Sequence, residues 1–435
     1  MSSISPFRSL IFFGKHCRNI RNKVTTSGCQ RFLSSKTTSL TSTNTPLFKE
    51  LFDKIQATGP ISIGEYMKIC LTHPDSGYYM QKDVFGAKGD FTTSPEITPL
   101  FSEMLAIWII SEWQRIGSPK FQLVELGPGR GTLTKNILKI FKDLNECGKP
   151  SVHFVEISLA LAELQAKTLG ANTTLVDNKQ NPEVKYYLEG ITNDGIKIYW
   201  YESVEIIPQN FSIILAHEFF DALPVHKFQK SKKGWDEILV DVDKNTTEPK
   251  FRYVLNPTPD KIKHFLISEN EEREHVEVSP ESLIASHYMS KLLCVNGGFA
   301  LIIDYGHFGD KTDTFRSFKE HKQNDPLTNC GAADLTADVD FKKIKQIAES
   351  NNLVVLGPIT QREFLKNLGI DIRLEILQKS ATEEQKKNLQ DGYHMVVDED
   401  KMGGCFKVMA LFPQTFQQHF PNWSVTGFTK LENLK

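Results

Sequence analysis

Apolar residues recur along this chain with two different periods, and the changes of period predict where strands and helices lie. Short apolar runs are typical of buried strands, whereas apolar residues spaced three and four apart predict amphipathic helices. Beyond residue 119 the two patterns alternate, as a parallel sheet with crossover helices requires. The predicted strands are 121–126, 151–156, 197–201, 211–216, 299–303, 353–356 and 406–412. The pattern therefore predicts an α/β fold.

The other segments flank or interrupt this alternation. Helical spacing from residue 48, over 63–71 and over 99–116 indicates an N-terminal helical cap. Strand-like runs at 235–242 and 251–255 indicate a β-rich insertion. The predicted division is a cap with a lid at 47–118, core at 119–224, the insertion at 225–279, more core with a helical, loop-rich insertion at 280–413, and a tail at 414–435.

The first 49 residues differ in composition from everything that follows. They contain no Asp or Glu and are rich in Ser, Thr, Lys and Arg. Basic, Ser-rich and acid-free sequence is typical of a mitochondrial transit peptide, with a basic tail of some other role as the alternative. We expect a transit peptide at 1–33 and a disordered linker at 34–46. The composition thus predicts the mitochondrial matrix as the location.

Bulk composition narrows the classes of function. The chain has 435 residues, 40% hydrophobic and 24% charged, with a net charge of −2. Such a balance favours a globular fold and argues against a broad nucleic-acid interface. The 7 cysteines form no paired C-x-x-C motif, so no zinc framework is predicted and reduced thiols are expected. The apolar runs are too short for a membrane span.

A glycine-rich turn follows the first predicted strand. The run 121–126 ends in Gly127, Gly129 and Gly131, and a helical pattern follows. Strand, glycine turn and helix let a backbone approach a nucleotide-like ligand closely. Dinucleotide-binding turns space their glycines G-x-G-x-x-G, which this chain does not. With an acid at Glu125, the turn instead resembles the first motif of class I S-adenosylmethionine-dependent methyltransferases.

Two further positions carry candidate chemistry. Glu156 ends the second predicted strand, where a carboxylate can accept hydrogen bonds from both hydroxyls of a ribose. After the fourth strand, Glu218 and Asp221 lie three residues apart and can converge on a guanidinium group through bidentate hydrogen bonds. His217 is either an acceptor for a released proton or a structural side chain.

Six motifs together are similar to those of the MidA family. They are Ile-Ser-Ile-Gly-Glu-Tyr-Met at 61–67, His-Pro-Asp-Ser-Gly-Tyr-Tyr at 73–79, Gly-Asp-Phe-Thr-Thr-Ser-Pro-Glu at 89–96, the glycine turn, Glu-Phe-Phe-Asp-Ala-Leu-Pro at 218–224 and Asp-Tyr-Gly at 304–306. The likeness covers roughly 45–413.

The resemblance carries expectations of fold, cofactor and partner. It implies a class I (Rossmann-like) methyltransferase core that binds S-adenosyl-L-methionine through Glu125, the three glycines and Glu156. It implies a type II protein-arginine methyltransferase that symmetrically dimethylates a core subunit of respiratory complex I and is needed for assembly of that complex. It also implies that residues 86–96 cover the cofactor as a lid.

Other functions remain open on sequence grounds. An S-adenosylmethionine-binding assembly chaperone without catalysis would keep the same glycine turn. A nucleotide-dependent oxidoreductase on a related fold is disfavoured by the glycine spacing and by Glu125. A small-molecule acceptor is also possible, since a fold does not fix its substrate.

Overall fold

The computed structural model describes residues 45–80, 92–177, 182–232, 234–244, 248–258, 266–419 and 424–429. Its helices are α1 (Pro46–Thr58), α2 (Ile63–Thr72), α3 (Ser94–Ile97), α4 (Pro99–Arg115), α5 (Thr132–Leu144), α6 (Leu159–Leu169), α7 (Pro280–Asn296), α8 (Phe341–Ser350), α9 (Gln361–Asn367), α10 (Ile370–Gln378), α11 (Glu383–Val397), α12 (Met402–Cys405) and α13 (Gln414–His419). None of these helices has the length and apolar character needed to cross a bilayer, within the part of the chain described.

The strands follow in chain order. They are β1 (Ile61–Ser62), β2 (Gln122–Leu126), β3 (Ser151–Val155), β4 (Ala171–Leu175), β5 (Leu188–Thr192), β6 (Lys197–Tyr201), β7 (Ser212–His217), β8 (His226–Ser231), β9 (Gly234–Asp243), β10 (Lys250–Pro257), β11 (His275–Val278), β12 (Gly298–His307), β13 (Arg316–Lys319), β14 (Lys322–Asn324), β15 (Asp334–Thr336), β16 (Val339–Asp340), β17 (Leu353–Thr360) and β18 (Phe406–Pro413).

The main sheet has the order β17-β18-β12-β7-β2-β3-β6-β5-β4, with β16 beside the end of β12. Strands β12, β7, β2, β3 and β6 are parallel neighbours. Strand β18 runs antiparallel to both β12 and β17. All seven predicted strands are present, and the predicted α/β fold is confirmed.

Helices cover both faces of this sheet, which explains why every residue of β2 and β7 is buried. Successive strand residues point to opposite faces. On one face Leu123 packs in a cluster with Trp108 of α4 and Ile137 of α5. On the other face Val124 belongs to a cluster with Met289 of α7. The carboxyl ends of the parallel strands are thereby held at one rigid edge.

A second sheet joins the N-terminal cap to the β-rich insertion. Its order is β1-β9-β8-β11, and β10 pairs with β9. Strand β1 pairs antiparallel with β9 through Ile61 and Val240, which are about 180 positions apart in the chain. Leu51 and Tyr66 of the cap share an apolar cluster with Val240. The cap and the insertion therefore form one packed unit, which separate local patterns could not predict.

Contacts with the rest of the fold hold both terminal segments. The predicted linker ends before residue 46, because Pro46 begins α1 and Thr45 caps it by accepting a hydrogen bond from the Phe48 amide at 3.2 Å. In the predicted tail at 414–435, Val425 is buried, and the Trp108 indole of α4 donates to the Thr426 carbonyl at 3.0 Å. Both segments are ordered by contacts with residues far away in the chain, which local sequence patterns do not reveal.

Several strands were not predicted from the sequence. Strands β4 and β5 extend the sheet beyond β6, and β4 is largely exposed, so it lacks the apolar run of a buried strand. Strands β15 and β16 lie in a segment predicted to be helical and loop-rich. The predicted transit peptide at 1–33 and the lid residues up to 91 lie outside the described residues. The end of that predicted lid forms helix α3.

Candidate active site

The glycine turn links the end of β2 to the start of α5. Gly127, Gly129 and Gly131 have φ angles of 60, 53 and 77°, a left-handed region that glycine adopts without strain. A Cβ on Gly127 would lie 2.9 Å from the Phe219 ring, and one on Gly131 would lie 3.0 Å from a methyl of Leu169. Backbone shape therefore requires all three predicted glycines, and close packing also requires Gly127 and Gly131.

Glu125 lies one residue before the end of β2 and is buried. The hydroxyl of Thr134, in the first turn of α5, donates to its carboxylate. Burial raises the pKa of Glu125 to about 7, while the hydrogen bonds from Thr134 act to lower it. The acid is thus held against the helix that begins at the glycine turn.

Glu156 directly follows β3, and both of its carboxylate oxygens have partners. The Ser158 amide donates to Oε1 at 2.9 Å, and the Gln165 side-chain amide donates to Oε2 at 3.0 Å. Burial raises its pKa to about 7, against these hydrogen bonds, which lower it. Each carboxylate oxygen keeps a second lone pair, so the group can still accept two hydrogen bonds from a ligand.

A small cavity, partly open to solvent, lies beside the turn. Its lining residues are Thr93, Pro95, Glu96, Glu125, Gly127, Pro128, Gly129, Arg130, Thr132, Leu133, His217 and Glu218. The structure thus brings four predicted site residues to one cavity. Gly131, Glu156 and Asp221 lie outside this lining.

The turn after β7 places a buried acid beside a buried imidazole. Glu218 has a φ of 52°, a left-handed conformation that is uncommon for a residue with a side chain. Its Oε1 lies 3.4 Å from His217 Nε2. Neither atom has a hydrogen-bond partner among the residues that the structure describes. The carboxyl does accept a hydrogen bond from the Ser94 backbone, but a buried carboxyl oxygen without a partner at a cavity wall is costly, which indicates a ligand-binding role.

Burial acts on this pair in opposite directions. It lowers the pKa of His217 to about 3, so the imidazole is neutral. Burial also raises the pKa of Glu218 well above its ordinary value, and the nearby Asp221 and Asp334 raise it further. Such a low pKa makes His217 a weak proton acceptor and favours the structural alternative for it.

Asp221, the second predicted catalytic residue, lies on the far side of the turn. Its Oδ2 accepts a hydrogen bond from the Thr336 hydroxyl at 2.9 Å. Burial raises its pKa to about 6, while that hydrogen bond and the charge of Arg316 lower it. The two predicted acids are close enough for their charges to interact, but only Glu218 lines the cavity.

Asp304, near the end of β12, holds this turn in place. Its Oδ2 accepts hydrogen bonds from the amides of Phe219, Phe220 and Asp221 at 3.2, 2.9 and 3.3 Å. The side chain is fully buried. Sequence reasoning named Asp304 only as part of a motif, and its role became visible only when parallel β7 and β12 brought the two segments together.

Several carboxyl groups surround Glu218, and one of them accepts a hydrogen bond from a tyrosine. The Tyr79 hydroxyl donates to Asp334 Oδ1 at 2.8 Å. Glu96, Asp221 and Asp334 are all near enough to raise the pKa of Glu218. This concentration of carboxyl groups around one buried acid favours a cationic ligand over a neutral or anionic one.

Comparisons with known proteins identify what this chain is similar to. Residues 104–359 match the model of a family described as S-adenosyl-L-methionine-dependent methyltransferase. A Homo sapiens protein named "Protein arginine methyltransferase NDUFAF7, mitochondrial" is 47% identical, over 85% of this chain and 84% of its own. The Xenopus tropicalis protein of the same name is 46% identical, over 92% and 94%.

A solved structure has a similar fold. A Burkholderia thailandensis protein bound to S-adenosyl-homocysteine aligns with a TM-score of 0.69 and 22% identity, covering 88% of this chain and 94% of that one. The class I methyltransferase fold and S-adenosyl-L-methionine as the cofactor, both predicted from sequence, are confirmed. The cavity, its glycine turn and the acids on β2 and after β3 suit a cofactor with a sulfonium, an amino acid end and a ribose.

Proposed function

This chain belongs to the MidA family of S-adenosyl-L-methionine-dependent methyltransferases, and from that membership we propose that it is a protein-arginine N-methyltransferase of the mitochondrial matrix. Its product is symmetric dimethylarginine on a core subunit of respiratory complex I, and its action is needed for assembly of that complex. The names of the relatives support arginine as the methyl acceptor and mitochondria as the location. The motif resemblance supports symmetric dimethylarginine as the product and a complex I subunit as the substrate.

One observation carries the arginine assignment. The carboxyl of Glu218 opens into the same cavity as Gly127 and Gly129, and its Oε1 has no partner within the described residues. The acceptor and the cofactor are thereby assigned to two walls of a single cavity. A guanidinium is the ligand whose charge and planar donors suit a buried carboxylate best.

The cofactor is held by residues at the ends of two strands, β2 and β3. Gly127, Gly129 and Gly131 bring main-chain atoms close to it, Glu125 lies at its methionine end, and Glu156 accepts from its ribose hydroxyls. When bound, S-adenosyl-L-methionine supplies an activated methyl group. Because the reaction is an in-line displacement, positioning alone can account for roughly 7–11 kcal/mol of the barrier.

Glu218 and Asp221 orient the arginine and balance its positive charge. The Glu218 carboxylate pairs with the guanidinium and concentrates electron density on the nitrogen that points at the methyl group, while Asp221, outside the cavity lining, adds its negative charge nearby. Asp304 fixes the turn that carries both acids. Since the pKa of Glu218 is raised by burial, its Oε1 can also hold the proton that the arginine nitrogen releases.

The test is mass spectrometry of complex I core subunits from cells with and without this protein. We expect one symmetrically dimethylated arginine to be lost with the protein. Purified protein should restore that modification on the unmodified subunit, and a Glu218→Gln variant should not. If complex I matures normally with Glu218→Gln, an assembly role without catalysis is correct instead. If no arginine changes, the arginine assignment is wrong.

A further inference from the structure

A single buried side chain connects the glycine turn to the acid assigned to ribose. Gln165 lies on α6, and no part of it is exposed. Its Nε2 donates to the Gly129 carbonyl at 2.8 Å and to Glu156 Oε2 at 3.0 Å. Its Oε1 accepts from the Trp200 indole of β6 at 2.8 Å. One amide thus joins four separate elements.

The chemistry of the partners fixes which way this amide faces. An indole N–H only donates, so the oxygen of Gln165 must face Trp200. A carbonyl and a carboxylate only accept, so the nitrogen must face Gly129 and Glu156. All three partners agree on one orientation, and the amide has no alternative pairing that satisfies them.

This arrangement affects how Glu156 meets a ligand. Without the N–H groups of Gln165, the Glu156 carboxylate and the Gly129 carbonyl would be two electron-rich oxygens with no donor between them. The two N–H bonds of Gln165 hold both oxygens at a fixed separation and leave the other lone pairs of Glu156 for a ligand. Trp200 prevents the amide from rotating away.

We propose that Gln165 is a positioning residue that sets the glycine turn and Glu156 at the spacing required to bind the cofactor ribose. The proposal rests on the assignment of Glu156 to the ribose in the proposed function. It predicts that Gln165 contributes to affinity through the ribose hydroxyls, although it touches neither of them.

Two variants separate hydrogen bonding from packing. Gln165→Met keeps the length of the side chain and removes both donors. Gln165→Glu keeps the shape and the partner of Trp200, but presents an oxygen to Gly129 and Glu156. Gln122 provides a matched control because it is another buried amide, donating to the Pro208 carbonyl at 2.7 Å and to Ser212 at 2.9 Å. It lies at the opposite end of β2, so Gln122→Met should leave ligand affinity unchanged.

The measurement is calorimetric binding of S-adenosylhomocysteine and of its 2′,3′-dideoxy analogue to the full-length protein, with thermal unfolding as the check on folding. Both Gln165 variants should weaken S-adenosylhomocysteine binding about tenfold, as expected for lost hydrogen bonds to a charged group. They should weaken binding of the analogue less, so the preference for the ribose hydroxyls shrinks. If Gln165→Met does not fold, Gln165→Glu carries the same test.

Glu156→Gln separates the two possible failures. If that variant loses the ribose preference while both Gln165 variants keep it, Gln165 only fills space and the inference is wrong. If Glu156→Gln itself keeps the preference, the ribose assignment is wrong and the inference fails with it. Neither outcome bears on arginine as the acceptor, which the methylation assay tests separately.

Discussion

The two halves of the candidate site, one assigned to the cofactor and one to the acceptor, differ in how their buried acids are bonded. On the cofactor side, Glu125 is bonded by Thr134, and Glu156 is bonded by the Ser158 amide and by Gln165. On the acceptor side, Glu218 Oε1 faces His217 with no hydrogen-bond partner in the described structure. The half assigned to the cofactor therefore has its acids bonded before a ligand binds, whereas the half assigned to the acceptor leaves one carboxyl oxygen for a ligand to satisfy.

This difference has a physical reason. A cofactor that is always the same can be met by fixed, fully paired groups, which reduces the ordering required on binding. A cationic acceptor gains most from a carboxyl oxygen that has no hydrogen bond to give up. The unpaired oxygen and the left-handed backbone of Glu218 both cost stability, and such costs are concentrated at functional sites.

The largest expected effect is on the cofactor half. Gly127→Val should abolish binding of S-adenosylhomocysteine in calorimetry, because a Cβ there meets Phe219 at 2.9 Å and φ is 60°. The left-handed φ alone costs a β-branched residue about 1–3 kcal/mol. Gly117→Val is the control, with a φ of 90° and nothing within 4 Å of its Cβ. It should lower stability and keep binding. Retained affinity in Gly127→Val would contradict the assigned turn.

The next effect separates the two halves. Glu218→Gln should lower the methylation rate about 10²–10³-fold, as for other lost groups that stabilise charge in a transition state. S-adenosylhomocysteine affinity should stay within about twofold of wild type, since Glu218 is assigned to the acceptor. A large loss of cofactor affinity would show that Glu218 acts on the cofactor and not only on the acceptor.

Glu218→Gln also tests how much the buried Glu218 carboxylate destabilises the fold. Because burial raises the pKa of Glu218 in the folded protein, the ionised form destabilises the fold, and increasingly so as pH rises above the unfolded pKa. Removing the charge should therefore raise the melting temperature at pH 8 by a few degrees, about 1 kcal/mol or more in stability. A melting temperature that falls in Glu218→Gln would show that the hydrogen bond from the Ser94 backbone stabilises the carboxylate more than burial destabilises it.

Asp304→Asn should give an intermediate effect. Three amides of the 219–221 turn donate to one oxygen of this side chain, and a neutral oxygen accepts them more weakly. We expect a loss of about 1.5–3 kcal/mol in stability and a lower methylation rate. Cofactor affinity, measured by calorimetry, should change little. Equal losses of rate and cofactor affinity would mean that the turn supports both halves.

The smallest effect is a dependence on pH. Burial raises the pKa of Glu156 to about 7, so the folded, ligand-free protein keeps a proton that the unfolded chain loses near pH 4.3. Unfolding free energy should therefore fall between about pH 4.5 and 7. Ribose binding needs the carboxylate, so S-adenosylhomocysteine affinity should rise up to about tenfold from pH 6 to 8. Glu156→Gln should flatten this rise; an unchanged slope would exclude Glu156 as its source.

Much of the fold followed from the sequence, for physical reasons. Buried parallel strands have apolar runs, and the long helices have periodic ones, so every core strand was predicted. Strand β4 was missed because its residues are exposed. Strand β1 was missed because it has two residues and pairs with a strand far along the chain. Local periodicity carries no signal for either.

The candidate site also has some features that the sequence predicts and others that only the structure shows. The sequence by itself determined the glycine turn and the acids on β2 and after β3, because chain order in a parallel sheet fixes which strand ends meet. Only the tertiary structure decided which polar atoms have partners: Gln165 between Gly129 and Glu156, Asp304 under the 219–221 turn, and Glu218 with an unpaired oxygen. Hydrogen-bond satisfaction depends on distances of a few ångströms between segments distant in sequence, and residue order does not contain those distances.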